Sequence, residues 1–165
     1  MKRTKWILAV LLIAAFFVFA AGSGESSTSD QGSGNVDATE KGDSTIGQYT
    51  VVIDSCRLAK DFEGKDVVIV MYIFSNVSND DPTAFYIAFA DAAYQNGIEL
   101  NKAFVLDESA NYSEDNQTKA IKKGATLDVE VAYKLNDLTT ELEVEVEELF
   151  SFNDDKLVKK FSLNG

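Results

Sequence analysis

The sequence lacks histidine and has few cysteine, proline and tryptophan residues. Its 165 residues include no histidine and only one each of cysteine, proline and tryptophan. The absence of histidine removes the commonest general base and the commonest ligand of transition metals. A single cysteine, Cys56, excludes a disulfide within the chain. These absences count against most familiar hydrolytic sites.

Basic residues are also scarce. Fifteen lysines and arginines stand against 27 aspartates and glutamates, which gives a net charge of −12. Three of the basic residues are Lys2, Arg3 and Lys5, so removal of an N-terminal leader would take the net charge to −15. A chain this acidic repels nucleic acid and anionic membrane surfaces. The composition therefore predicts no nucleic-acid partner.

The N-terminus has the layout of a secretory signal peptide. Residues 1–5 are basic, residues 6–21 are apolar without interruption, and Gly22 follows. This order predicts export, with residues 1–20 as a signal peptide that is cleaved after Ala20. An uncleaved N-terminal anchor is the alternative, because the apolar run is close to the roughly 20 residues that span a bilayer. Membrane attachment is expected only through such an uncleaved leader.

The rest of the chain divides into a linker and one domain. Residues 21–46 are rich in glycine, serine, threonine and acidic residues and contain no aromatic residue. Such a segment cannot bury enough apolar surface to offset the entropy of ordering, so it predicts a flexible tether. Residues 47–165 are enough for one folded domain.

The domain is organised around residues 66–76. Eight consecutive residues, Val67–Phe74, are apolar, and most are β-branched or aromatic. The run is short for a globular helix, and stiff β-branched side chains favour the extended conformation. A strand that is apolar at every position is buried on both faces. The stretch therefore predicts the central strand of a sandwich.

Alternation and turn signals predict the other strands. Residues 48–60 change parity near Asp54–Ser55, which indicates a bulge. Residues 84–95 fit either a helix or a strand, but Asn96-Gly97 favours a strand that enters a type I′ turn. The remaining predicted strands cover residues 98–100, 127–135, 142–146 and 157–163. About seven strands predict an all-β, antiparallel, immunoglobulin-like sandwich.

Glutamates form the most conspicuous cluster of charge. Glu143, Glu145 and Glu147 alternate with apolar residues, so one face of a strand presents carboxylates about 7 Å apart. Such a run is usually a solvated face, although it also suits a basic partner or cationic polymer. Calcium is a further alternative, but its ligands must converge on one point, which a flat face does not provide.

No catalytic, cofactor or metal site is predicted elsewhere. Acidic pairs occur in three predicted loops, at residues 80–81, 114–115 and 154–155. Turn chemistry explains them, and a weak metal site where the loops converge is the alternative. Cys56 has neither a base nor a second thiol beside it, so it is predicted to be a small buried strand residue. No pair of carboxylates stands out as a glycosidase would require, and no enzyme is predicted.

Tyrosines are the other candidates for partner binding. Tyr112 lies in the long acidic loop predicted over residues 107–118, where a partner can reach it. Tyr86 and Tyr94 are expected to pack in the core, because strand aromatics usually fill a sandwich. Stacking of these two rings on a sugar or on a protein partner is the alternative. The candidate partner-binding residues are therefore Tyr112, Glu143, Glu145 and Glu147.

Several strand ends and turns resemble a known family. The matching segments are residues 49–53, 74–78, 94–100, 121–125 and 133–135. They resemble domain of unknown function 5067, a family of Gram-positive exported proteins and lipoproteins in the immunoglobulin-like extracellular immunoprotein group. The resemblance implies a sandwich fold and an extracellular or envelope location, and it implies no activity, cofactor or functional residue.

The leader junction also resembles a lipobox. Ala21 stands where lipoproteins have the lipidated cysteine, so this chain is not expected to carry a lipid there. The sequence as a whole predicts an exported, non-enzymatic module that binds a protein or an envelope component. The alternative is a domain that binds a small ligand or a cation such as calcium.

Overall fold

A computed structural model describes residues 38–39, 43–105, 111–150 and 156–163. In this part of the chain nine strands form two antiparallel sheets, in the orders β1-β9-β8-β5-β6 and β2-β3-β4-β7. The strands are β1 (Ala38–Thr39), β2 (Asp43–Ile46), β3 (Tyr49–Lys60), β4 (Asp66–Asn76), β5 (Phe89–Gln95), β6 (Ile98–Glu99), β7 (Thr126–Lys134), β8 (Leu142–Glu148) and β9 (Lys156–Phe161). A short helix, α1 (Phe85–Ala88), precedes β5, and a 3-10 turn covers Asp115–Gln117. The predicted antiparallel sandwich is confirmed.

The central strand β4 lies between β3 and β7, as its apolar run predicts. Val68, Val70 and Phe74 are fully buried in the core between the sheets. Val67 and Ile69 are fully buried on the opposite face, in a second cluster with Ala103 and Ala132. Each large apolar side chain that is buried in this way contributes roughly 1.5 to 3 kcal/mol. The prediction that this strand is buried on both faces is therefore confirmed for its first half.

Residues 84–95 contain both of the structures that their pattern allowed. Phe85 and Ala88 are buried one turn apart in α1, and the Ala88 N–H donates to the carbonyl of Ala84 at 3.1 Å. The chain becomes extended only at Phe89. The prediction of one continuous strand was wrong for the first half, because two apolar residues three apart bury better on one side of a helical turn.

The predicted Asn-Gly turn follows β5. Asn96 and Gly97 have φ angles of 53° and 73°, as a type I′ turn requires. The strand after it, β6, has only two residues, because the chain then crosses from one sheet to the other. The Leu100 N–H donates to the carbonyl of Ala93 in β5, and within a few residues the chain pairs with β7.

Two short strands lie in the segment that was predicted to be a tether. β1 pairs with the end of β9, and β2 pairs with the start of β3. Ile46, the last residue of β2, is buried in the core. The tether was predicted from the scarcity of apolar side chains, and this criterion does not include the backbone hydrogen bonds that the edge of a sheet offers to a neighbouring segment. The sandwich therefore begins before residue 47, while the predicted signal peptide lies outside the described residues.

A bulge in β3 holds the only lysine that is buried in the described part of the chain. The register of β3 shifts between Ile53 and Ser55, where the parity change predicted a bulge. Lys159 of β9 points into the sandwich there, and its Nζ donates to the carbonyls of Ile53 and Asp54 at 2.8 and 2.7 Å. The same Nζ lies 5.1 Å from the centre of the Phe161 ring. One charged side chain thus joins the two sheets at this edge.

We expect Lys159→Met to lower the free energy of unfolding by ~2 kcal/mol, because two bulge carbonyls lose their donor while the side-chain volume is kept. Urea unfolding measures the change. The matched control is Lys160→Met, which removes a half-exposed lysine from the next position and should change stability by less than about 1 kcal/mol. Equal stability of the two variants would show that Lys159 is not needed at the bulge.

Candidate binding site

The glutamates predicted as a cluster line the outer face of the five-stranded sheet. Val144 and Val146 are buried in the core, so Glu143, Glu145 and Glu147 of β8 point outward between and beyond them. We call these three residues the glutamate ladder. The register places β9 on one side of the ladder and β5 on the other. This placement agrees with the alternation in the sequence.

Lysines of β9 neutralise part of this ladder. Lys156 Nζ lies 2.7 Å from a carboxylate oxygen of Glu145, and Lys160 Nζ lies 3.1 Å from one of Glu143. The hydrogen bonds to these carboxylates raise the pKa of both lysines. Glu147, in contrast, forms no ion pair with any described residue. The face therefore keeps a net negative charge at the Glu147 end.

Two shallow hollows lie on this face, and the side chain of Tyr94 borders both. The larger has a volume of about 390 Å³, and the smaller has a volume of about 210 Å³. The larger is lined by Tyr94, Asn96, Gly97, Thr140, Glu141, Glu143 and Lys160. The smaller is lined by Ala90, Asp91, Ala92, Tyr94, Glu99, Glu145, Glu147 and Lys156. The alanines of β5 leave room beside the ring, so Tyr94 forms a wall between the two spaces.

The electrostatic environment of Tyr94 is negative. Partial burial raises the pKa of its hydroxyl, and the carboxylates of Glu145 and Glu99 raise it further, whereas Lys156 lowers it. Glu99, like Glu147, forms no ion pair with a described residue, although Lys156 lies opposite Glu147 in the register. The smaller hollow therefore combines an aromatic wall, three glutamates and one lysine, which suits a group with positive charge.

Tyr94 was expected in the core, and that prediction was wrong. The inward positions of β5 are instead Phe89, Asp91, Ala93 and Gln95. Two of these are polar, and alternation alone does not assign polar residues to a core. The alternation of alanines with Tyr94 identified the two faces of β5 correctly but gave no means to tell which one is buried.

The buried polar residues of β5 are fully hydrogen-bonded. Gln95 accepts from the Asn136 N–H at 2.9 Å and donates to the carbonyls of Asp137 and Thr140 at 3.0 and 3.1 Å. Its side-chain amide thereby shapes the loop beside the larger hollow. This loop is further fixed by Asp137, whose carboxylate accepts from the Thr139 and Thr140 N–H groups. Those bonds lower the pKa of Asp137 to about 2.

Asp91 is the second buried polar residue of β5. Its side chain is only 4% exposed, and it accepts from Lys102 Nζ at 2.9 Å. It also accepts a hydrogen bond from the hydroxyl of Tyr133 on the opposite sheet. The Tyr133 hydroxyl lies 3.2 Å from that of Tyr72, so the chain of polar groups runs into the core. Burial raises the pKa of both tyrosines well above the usual value.

Tyr112 does not lie with the glutamates. Its ring packs against the second apolar cluster, on the outer face of the other sheet. Partial burial, followed by the charge of Glu114, raises the pKa of its hydroxyl, and Gln117 Nε2 donates to that hydroxyl at 3.2 Å. The structure thus brings the three glutamates together and places Tyr112 apart from them, largely turned inward.

The other candidate residues have local structural roles. Asp80 pairs with Lys123 at 2.9 Å, Asp115 begins the 3-10 turn, and residues 154–155 lie outside the described part of the chain. Within the described residues no three acidic or thiol side chains are grouped so that they could hold a metal ion. Cys56 was predicted to be buried and is partly buried against the core, and burial raises its pKa to about 12, although Lys159 partly opposes the shift. No helix in the same residues is long and apolar enough to cross a membrane.

Comparison with known proteins identifies the family. The sequence model of domain of unknown function DUF5067 matches residues 24–148. The chain belongs to this family. No curated protein matches it. The DUF5067 match covers β1 to β8 and therefore includes the glutamate ladder and Tyr94.

Two solved structures share the fold. One is a candidate lipoprotein from Staphylococcus aureus, with a TM-score of 0.56 and 16% identity over 78% of this chain and 94% of that one. The other is a candidate lipoprotein from Bacillus subtilis, with a TM-score of 0.56 and 15% identity. It covers 74% of this chain, which spans 38% of the length of that protein. Neither the family nor these two proteins indicates an enzymatic activity.

The raised pKa of Cys56 predicts a loss of stability in alkali. An unfolded thiol ionises near pH 9, whereas the folded one remains neutral to about pH 12. The free energy of unfolding should therefore fall as the pH rises from about 9, by about 2 kcal/mol at about pH 10.5. Cys56→Ala removes this contribution, so its stability should fall less over the same range. Urea unfolding in the presence of a reductant measures the difference, and parallel pH profiles would contradict the prediction.

Proposed function

We propose that this DUF5067 domain is a non-enzymatic, exported module that binds a basic segment of a protein or envelope component on the outer face of its five-stranded sheet. The observation that carries the proposal is the pair of hollows on either side of Tyr94, set against the glutamate ladder. The layout of the leader and the candidate lipoproteins of similar fold support an exported, envelope-associated location.

The smaller hollow has the chemistry to receive an ammonium or guanidinium group. Glu99 and Glu147 are free of ion pairs with described residues, so a ligand cation need not displace an existing partner there. The ring of Tyr94 can contact the same cation through its π face. A lysine or arginine side chain also places its apolar stem against Ala90 and Ala92.

The spacing of the ladder suits an extended segment. Alternate residues of a strand lie about 7 Å apart, which is also the separation of alternate side chains in an extended ligand. Two hollows that share one wall therefore accept two side chains of one segment. The ion pairs of Glu143 and Glu145 with lysines of β9 keep those carboxylates at fixed positions before a ligand arrives. Charge complementarity of this kind mainly contributes specificity and speed of association.

The test is a titration of the full chain with a fluorescent deca-lysine peptide at two salt concentrations. We expect binding that weakens with salt. Glu99→Gln/Glu147→Gln should weaken it by about fivefold or more, which corresponds to about 1 kcal/mol. Tyr94→Ala should weaken it similarly, while Tyr94→Phe retains the ring and should bind like the wild type.

The matched control is Glu63→Gln/Asp80→Asn, which changes the net charge equally but alters two turns away from this face. The control should bind within about twofold of the wild type if the hollows are the site. If both double variants weakened peptide binding equally, the loss of binding would come from the change in net charge alone and not from the hollows. Absence of any binding by the wild type would refute the proposed ligand class.

A further inference from the structure

The outer edge of β7 is covered by side chains. β7 is the last strand of the four-stranded sheet, so the backbone groups on its outer side have no neighbouring strand of that sheet. Asn116 Nδ2 donates to the carbonyl of Asp128 at 2.8 Å, and Gln117 Nε2 donates to that of Glu130 at 2.7 Å. Two side-chain amides thus occupy positions that the N–H groups of an added strand would take.

Tyr112 extends this cover by one more residue of β7. Its hydroxyl lies beside the backbone N–H of Ala132 and accepts from Gln117 Nε2 at 3.2 Å. The Tyr112 ring packs beside Ala132 and Ile69 in the second apolar cluster. The same segment is tied to the strand at Glu130, whose carboxylate accepts from the Ser113 N–H at 3.0 Å.

Backbone pairing covers the end of the edge. The Ala103 N–H donates to the carbonyl of Ala132, and the Lys134 N–H donates to the carbonyl of Asn101, both at 2.8 Å. Partners are therefore present at 128, 130, 132 and 134, the alternate residues whose backbone groups face outward. Irregular segments, with no strand among them, supply a hydrogen-bond partner for at least one backbone group at each of these four positions.

We infer that residues 112–117 guard the β7 edge against strand addition by a second copy of this chain. An exposed edge is a template for another strand, and natural proteins cover such edges to remain monomeric. The inference concerns the opposite sheet from the proposed ligand site and does not depend on that proposal.

The charges on β7 favour a second copy as the strand that would add. A second copy would also have to replace the 101–103 segment at Ala132 and Lys134. Two β7 strands that then pair antiparallel about Val131 place Asp128 of each copy opposite Lys134 of the other. Both side chains are exposed. Opposite charges at directly paired positions stabilise a sheet, and like charges destabilise it. Glu130 lies opposite Ala132 in this register, so no like charges meet. The result would be one continuous sheet across a two-fold axis.

The test is to measure the oligomeric state of the full chain after side chains of residues 112–117 that cover the β7 edge have been removed. Asn116→Ala/Gln117→Ala removes both amide caps, and we expect light scattering to show a doubled molar mass at concentrations where the wild type is monomeric. Gln48→Ala, which removes an exposed amide from the turn between β2 and β3, is the control and should remain monomeric. Gln117→Ala alone serves if the double variant does not fold, and it should dimerise more weakly.

A charge swap tests the register in the same background. Adding Asp128→Lys places two lysines opposite each other and should return the protein to a monomer. Adding Lys134→Asp as well restores opposite charges and should restore the dimer. Folded guard variants that stay monomeric would overturn the inference, as would a wild type that is already a dimer. A dimer unaffected by the swap would overturn the β7 register.

Discussion

The outward position of Tyr94 depends on which side of β5 faces the core. That side carries Asp91 and Gln95, two polar residues whose burial is tolerated only because each finds hydrogen-bond partners in other parts of the chain. A shift of β5 by one residue would bury Tyr94 and expose Phe89, and it would leave the Asn136–Thr140 loop without its anchor. The two satisfied polar groups thus set the register that creates the hollows.

At each edge of the sandwich, a hydrogen-bonded polar side chain joins the two sheets. At one edge Lys159 of β9 donates to the carbonyls of the β3 bulge, and at the other Asp91 of β5 accepts from Tyr133 of β7. Each contact joins the two sheets through one charged side chain. Apolar packing in the centre is not directional, whereas these bonds hold only at one relative position of the sheets. Together they fix how the five-stranded sheet lies over the four-stranded one.

Much of this fold could be predicted from the sequence. The apolar run of β4, the parity change at Asp54–Ser55 and the Asn-Gly turn are local signals, and each of the three proved correct. The features that escaped prediction depend on distant partners. β2 forms because β3 offers it an edge, α1 forms because Phe85 has aromatic rings to pack against, and Asp91 is buried because Tyr133 and Lys102 meet it.

In the candidate site, too, local signals were enough to predict some features, whereas others depend on distant partners. Alternation correctly aligned the glutamate ladder on one face, because that inference needs only the period of a strand. Tyr94 was expected in the core, with partner stacking only as the alternative, because its direction depends on the hydrogen bonds of neighbours on the other face. Tyr112 was assigned to a partner from the polarity of its loop, but an edge strand nearby gives the same side chain an internal use. Unpaired backbone at a sheet edge competes for polar and aromatic loop residues, so their composition alone does not show that they are free to bind a partner.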